Sequence, residues 1–241
     1  MIEVKPYRNN QNTKREQVEQ MFDSIAPKYD FLNRFLSLGI DQIWRKRAIQ
    51  SISKVKPKHI LDVATGTADL AIATLSLNPE KVIGVDISNN MLDVGRKKIG
   101  AKKLDDRIEL KQADSKQLPF DDNKFDAITV AFGVRNFEFL QDGLNEMYRV
   151  TRNGGMVAVL EFSKPKRFPF KHLYQFYFKF ILPVWGGFIS KSKEAYTYLP
   201  ESVNQFPEGE HFAAYLKAAG YQQIKINPLT FGVCTLYTAI K

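Results

Sequence analysis

The stretch ILDVATGTADLA, Ile60 to Ala71, decides how this chain is built: an apolar strand breaks on a single glycine, Gly66, and resumes as a helix. A second short apolar run, VIGVDIS, follows and ends at the acidic Asp86. Asp86 stands twenty residues after Gly66, the spacing at which a carboxylate ending a second strand takes both hydroxyls of a ribose lying over the first turn. The pattern predicts a ligand that contains adenosine.

A dinucleotide requires G-x-G-x-x-G, so that the backbone can approach a pyrophosphate at the helix N-terminus. Here the same positions read A-T-G-T-A-D. Ala64, Ala68 and Asp69 do not suit a diphosphate, and the carboxylates of Asp62 and Asp69 on either side of the turn repel one. A cation suits them better. S-adenosylmethionine has no phosphate and carries a sulfonium and an ammonium, which makes Gly66, Asp62 and Asp86 candidate residues for binding it.

Outward from this unit, strands and helices alternate. Asn89 to Ile99 has helical spacing of Met91, Leu92, Val94 and Ile99, with Ser88 as N-cap. RIELKQAD reads as a third strand ending at Asp114, and FDAITVAF, Phe125 to Phe132, as a buried fourth. A helix carrying Phe139, Leu144, Met147 and Val150 comes next, and a turn at Gly154 and Gly155 opens the strand MVAVLEF. EHFAAYLKAAGY reads as a last helix closed by Gly220, followed by QIKIN and TLYTAIK as an antiparallel hairpin. This rhythm predicts an α/β fold with a doubly wound, Rossmann-like, mostly parallel sheet and right-handed crossovers. Ligands of such sheets lie beyond the carboxyl ends of the strands, where the strand order reverses. If the first and fourth strands flank that point, the loop FGVRN, Phe132 to Asn136, faces the Gly66 turn. Asp114 and Ser115 then fall where an adenine ring would lie, the carboxylate accepting from its amine and the Ser115 amide serving a ring nitrogen.

With 241 residues, 44% of them hydrophobic, the chain is long enough for one buried domain and an accessory segment. Its single cysteine, Cys234, offers neither a disulfide framework nor a thiolate metal site, and its three histidines, His59, His172 and His211, have no ligand spacing. No metal is expected. No apolar leader opens the chain and no uncharged run reaches about 18 residues, so a cytoplasmic protein is expected. The net charge of +9 suits an anionic membrane surface or nucleic acid equally. One segment, Lys164 to Lys193, interleaves lysines with aromatics and ends on Pro183, Gly186 and Gly187. It reads as an amphipathic helix on a bilayer, the wall of a greasy pocket, or a helix buried on the sheet.

YDFLNRFLSLGIDQIW, Tyr29 to Trp44, and RVTRNGGMVAVLEFSKP, Arg149 to Pro165, resemble the two signatures of the ubiquinone/menaquinone biosynthesis C-methyltransferases, a branch of the class I S-adenosylmethionine-dependent methyltransferases. FGVRN and QADSKQLPF match as well, and the resemblance spans nearly the whole chain. Asp41, Asn153 and Ala131 depart from the residues usual in that family, histidine, proline and serine, and bear on fine specificity. The resemblance implies a seven-stranded sheet, with an N-terminal helical lid over 1–50, a cofactor-binding core over 51–163, an aromatic and basic substrate-side insertion over 164–210, and a final helix and strands over 211–241. It implies that Thr67, Asp86, Asp114 and Ser115 bind S-adenosylmethionine.

The acceptor it implies is a polyprenylated quinol, methylated on a ring carbon. The short N-terminus and compact loops look more like those of the menaquinone-only members, and that resemblance implies demethylmenaquinol over the benzoquinol of ubiquinone synthesis. Arg135 would stabilise the phenolate form of the ring and Asn136 would orient the hydroxyl or a water. Tyr29, Asp30 and Asn33 would belong to the lid, with Asp30 or His211 as candidate base. The aromatic segment Phe168 to Phe188 would guide the tail in from transient contact with the inner face of the membrane. Three rivals stand beside this reading: a doubly wound dehydrogenase, a nucleic-acid methyltransferase, and a lipid-surface module without turnover. The glycine pattern opposes the first, and the absence of an Asn-Pro-Pro-aromatic motif after the fourth strand opposes the second.

Overall fold

The computed structural model describes residues 4–7, 10–177, 180 and 193–241. Its sheet has seven strands: β1 (His59–Val63), β2 (Lys81–Asp86), β3 (Ile108–Gln112), β4 (Phe125–Ala131), β5 (Thr151–Phe162), β6 (Gln222–Leu229) and β7 (Cys234–Ile240). They lie in the order β3-β2-β1-β4-β5-β7-β6, parallel except for β7, which runs antiparallel to both β5 and β6. The order reverses between β1 and β4, so the Gly66 turn and the FGVRN loop leave adjacent strands at the same edge of the crevice.

Both faces of the sheet are covered, which is why its central strands are continuous apolar runs rather than alternating ones. From β1, Leu61 and Val63 point to the side where α6 (Leu140–Val150) contributes Leu144 and Met147 and α9 (Glu210–Ala218) contributes Phe212 and Leu216. Ile60 points the other way, toward Trp44, Ala48 and Ile52 of α3 (Ile40–Ile52), Ala71 of α4 (Asp69–Thr74) and Ile99 of α5 (Asn89–Ala101). Ser88 caps α5 by accepting the Met91 amide at 3.2 Å, as its position in the sequence predicts.

Two further helices, α1 (Lys14–Ile25) and α2 (Tyr29–Leu36), form a small core of their own from Val18, Met21, Ile25 and Leu32 against Met91 and Tyr198. Beyond β5 come α7 (Phe170–Phe176) and α8 (Lys193–Gln205). Of the aromatic segment, Pro183, Gly186 and Gly187 lie outside the described residues.

The structure moves several boundaries. β3 ends at Gln112, and Asp114 sits in a tight turn bridged to Gln117. Phe139 precedes α6 as its N-cap residue instead of riding on it. Gly154 and Gly155 lie inside β5, not in a turn before it: a Cβ on Gly155 would stand 2.9 Å from the Asp126 carbonyl oxygen, so only glycine lets the strand pass there. The sequence reading did not anticipate α8, whose interior Pro200 argues against a helix.

Candidate active site

After β1 the chain turns through three left-handed residues, Ala64 (φ 53°), Gly66 (φ 55°) and Ala68 (φ 67°). Glycine takes this conformation freely, whereas each alanine carries a penalty of about 1–2 kcal/mol. The turn is held from β2. Asp86 accepts from the Gly66 amide at 2.8 Å and from the Ser88 amide at 2.9 Å. Burial pushes its carboxyl up to about 6, against the pull of those amides toward the ionised form. The turn also touches the loop after β4, because a Cβ on Gly133 would come within 2.5 Å of the Ala64 Cβ.

A cavity opens over this turn, lined by Gly66, Asp86, Ile87, Met91, Asp114, Ser115 and Asn136. Asp86, Asp114, Ser115, Gly66 and Asn136, all singled out in the sequence, therefore converge. The Asn136 side chain is buried and its Oδ1 has no hydrogen-bond partner. Helix α1 roofs the cavity with Arg15, Val18 and Phe22 and is tied down along its length. The Lys14 ammonium donates to the carbonyls of Arg135 and Phe137, Arg15 pairs with Asp114 at 2.7 Å, and Asp23 accepts from the Ser88 hydroxyl at 2.6 Å.

Thr67, Asp62 and Asp30 lie on the other side of the turn. Thr67 donates to Asp30 at 2.5 Å and accepts from the Lys98 ammonium at 3.0 Å. Lys98 also bridges Asp30 at 2.5 Å and Asp69 at 2.6 Å, and Arg45 pairs with Asp69 at 3.0 Å. The charge of Asp69 is thus met by two cations, so repulsion of a diphosphate rests on Asp62 and Asp86 alone. Asp62 is buried, accepts from Thr65 and Thr129 at 2.6 Å each, and is pushed up to about 6 by desolvation. Asp30 lines neither this cavity nor the next; its carboxylate anchors α2 to the turn. His211 is exposed on α9, away from both.

The second cavity, of about 700 Å³, is walled by apolar side chains of α1, α2, α3, α7, α8 and the β6–β7 connection. Phe22, Tyr29 and Phe132 line both cavities and form the partition between them. Burial raises the Tyr29 hydroxyl above its ordinary range, so it stands neutral. Arg135 and Arg45 are cations in the wall, and Arg45 is paired with Asp41 and Asp69; Arg135 has a different setting. One Nη bonds Glu161 Oε1 at 2.8 Å and also donates to the Phe132 carbonyl, the guanidinium lies 5.5 Å from the Phe162 ring centre, and Nε has no partner. Leu38, Phe168, Leu173 and Phe231, all well exposed, surround the cavity and its approaches.

Sequence reasoning passed over Glu161, Lys14, Arg15 and Phe22. Glu161 had a signal: it is the lone charge in the buried strand MVAVLEF. The others belong to α1, whose roofing role depends on how it lies across the sheet, which no local pattern shows.

Among the described residues no group of three His, Cys, Asp or Glu could hold a metal ion. Residues 10–241 match the ubiE/COQ5 methyltransferase family. The chain is 50% identical over 239 residues to a demethylmenaquinone methyltransferase of Bacteroides fragilis, covering 99% of this chain and 97% of the relative. It is 46% identical over 230 residues to a ubiquinone/menaquinone biosynthesis C-methyltransferase of Geotalea daltonii, covering 95% and 97%. A solved structure of a putative S-adenosyl-L-methionine-dependent methyltransferase from Methanococcus maripaludis superposes with a TM-score of 0.61 at 19% identity, over 98% of this chain and 97% of that one.

Proposed function

The chain belongs to the ubiE/COQ5 methyltransferase family and is an S-adenosylmethionine-dependent methyltransferase; from that premise we propose that it methylates a ring carbon of a polyprenylated quinol, demethylmenaquinol first of all. The observation that carries the proposal is the partition. The cavity over the Gly66 turn and the 700 Å³ apolar cavity share Phe22, Tyr29 and Phe132, so a donor in one and a greasy ring in the other would meet at that wall.

The residues present fit the donor. Asp86 offers a buried carboxylate for ribose hydroxyls, Ile87 and Met91 offer apolar surface for a base, and the unpartnered Oδ1 of Asn136 offers an acceptor to a cationic group. When bound, S-adenosylmethionine supplies a methyl group on a sulfonium. Asp114 and Ser115 would serve the adenine, Asp62 would hold the floor of the turn, and Thr67 would act through Asp30 and Lys98 by fixing the turn to α2.

Arg135 supplies positive charge and donors where the quinol oxygen loses its proton, which raises electron density at the neighbouring carbon. That carbon forms the new bond to the methyl, the methyl–sulfur bond breaks with its pair left on sulfur, and the ring proton departs to solvent. Asn136 orients the hydroxyl, and Tyr29, neutral in the partition, excludes water.

We place the helical lid at 1–50, the cofactor-binding core at 51–163, the substrate-side insertion at 164–210 and the closing helix and strands at 211–241. The exposed apolar rim supports transient contact with the cytoplasmic face of a membrane, from which the tail would enter; among the described residues no helix is long and apolar enough to cross one. The test is turnover by purified protein of reduced demethylmenaquinone beside the reduced benzoquinone precursor, each read by mass as addition of one methyl. Methylation of neither would sink the proposal, and methylation of the benzoquinol alone would correct its substrate.

A further inference from the structure

Glu161 is fully buried behind Arg135, which lines the apolar cavity, and its partners define what it does there. Its Oε1 accepts from an Arg135 Nη at 2.8 Å and from the Phe162 amide at 2.9 Å, and its Oε2 accepts the Arg135 amide at 3.3 Å. With the Phe132 carbonyl taking a second bond from the same Nη, one corner of the guanidinium is fixed, while Nε is left without a partner. A buried pair of this kind contributes little stability compared with apolar residues of the same volume, so burial energy does not explain it.

The geometry points to Glu161 as a positioning residue for methyl transfer: it fixes the Arg135 fork in the cavity wall and makes the pair nearly neutral before the ring arrives. This rests on the quinol reading above. In the step concerned, the quinol O–H loses its proton to solvent, the ring carbon bonds to the methyl, sulfur keeps the electron pair of the broken bond, and the proton of that ring carbon then leaves to solvent, restoring the aromatic ring. Arg135 stabilises the oxygen anion through oriented donors. Glu161 limits how much bare charge it brings.

The other ionisable groups around this place are Lys14 from α1, whose ammonium donates to the Arg135 carbonyl, Tyr29 from α2, Tyr174 from α7, Cys234 and Tyr237 from β7, Glu208 before α9, and the Asp41–Arg45 pair of α3 on the same cavity. Burial raises the three tyrosines and the thiol, so they stay neutral across the working range. Glu208 accepts the Lys164 amide at 2.8 Å. None of these substitutes for the carboxylate on Arg135.

The experiment uses 1-naphthol as probe, its ionisation followed by absorbance when bound to the protein loaded with S-adenosylhomocysteine, alongside the pH profile of kcat. Glu161→Gln keeps the shape and removes the charge. It is expected to move the bound naphthol's ionisation, and the acid limb of kcat, about one pH unit lower, while kcat at its optimum falls at least tenfold. Glu161→Asp keeps the charge but withdraws it; kcat should fall comparably with the naphthol ionisation unmoved, and this variant carries the test if the glutamine protein does not fold. Unchanged kcat and an unmoved ionisation in either folded variant would overturn the positioning role. Failure of the wild-type protein to bind naphthol at all would count against the quinol reading instead.

Discussion

The two cavities are built by different means. The one over the Gly66 turn is built on the loops at the ends of adjacent strands, whose relative positions the sheet register fixes, with α1 as its roof. The apolar one is walled by five helices and a hairpin connection, with side chains from Met21 to Val233. A site of the first kind is specified locally and tolerates little change in geometry. One of the second kind is specified by volume and apolarity, and tolerates exchange among residues of similar size.

The strongest way to break the comparison is at Arg135, in the wall of the apolar cavity and bonded to the carbonyl of the partition residue Phe132. Arg135→Ala removes a cation from a fully buried carboxylate, which should lower stability by about 3–5 kcal/mol in thermal or urea unfolding. The double variant Arg135→Met with Glu161→Met should recover most of that loss, bind S-adenosylhomocysteine within a few-fold of wild type by calorimetry, and transfer no methyl. Equal loss of donor binding would show that the cavities are not separable.

Gly133→Ala is the next largest. Its new Cβ would meet Ala64 at 2.5 Å, so the loops after β1 and β4 must part, at about 1–3 kcal/mol in stability and with weaker donor binding. Asp86→Ala should weaken donor binding by about 1–3 kcal/mol in the same titration and leave the acceptor KM unmoved.

The titration of Asp86 sharpens the contrast through pH. Because donor binding needs the carboxylate and its folded value is about 6, affinity for S-adenosylhomocysteine should fall as pH drops below 6, and Asp86→Asn should abolish that dependence. Stability runs the opposite way. Asp62 and Asp86 both ionise at higher pH in the folded chain than in the unfolded one, so the folded state binds more protons between about pH 4 and 6, and these two groups make it less stable as pH rises through that window. Unfolding of Asp62→Asn across the same range should show a flatter profile. Smallest of all, Leu38→Ser or Phe231→Ser on the exposed rim should change stability by less than about 0.5 kcal/mol, yet raise the KM for a long-tailed acceptor presented in vesicles.

The same division explains what could be read from the sequence. The alternation of strands and helices, the hairpin, the Ser88 cap and the convergence of Gly66, Asp86, Asp114 and Ser115 follow from periodicity and from the rule that ligands sit where strand order reverses. The alanines gave no such warning. Ala64 and Ala68 occupy left-handed positions that a sequence reader assigns to glycine, and only the packing of Ala64 on Gly133 and of Ala68 in the core shows why they are kept there. Asp69 read as a charge that repels a diphosphate because one-dimensional spacing cannot show which carboxylates already have cations, here Lys98 and Arg45. The acceptor cavity was legible only as an aromatic bias after Lys164, since its walls come from residues more than two hundred positions apart.

Helix α1 holds a last consequence. Its tie from Arg15 to Asp114 reaches solvent, with the arginine 42% exposed, whereas the Lys14 tie to the loop at Arg135 and Phe137 is buried. Dissolved salt weakens the first and spares the second. With rising ionic strength α1 should therefore loosen at Arg15 while Lys14 and Asp23 still hold it, and release of S-adenosylhomocysteine should quicken with added salt.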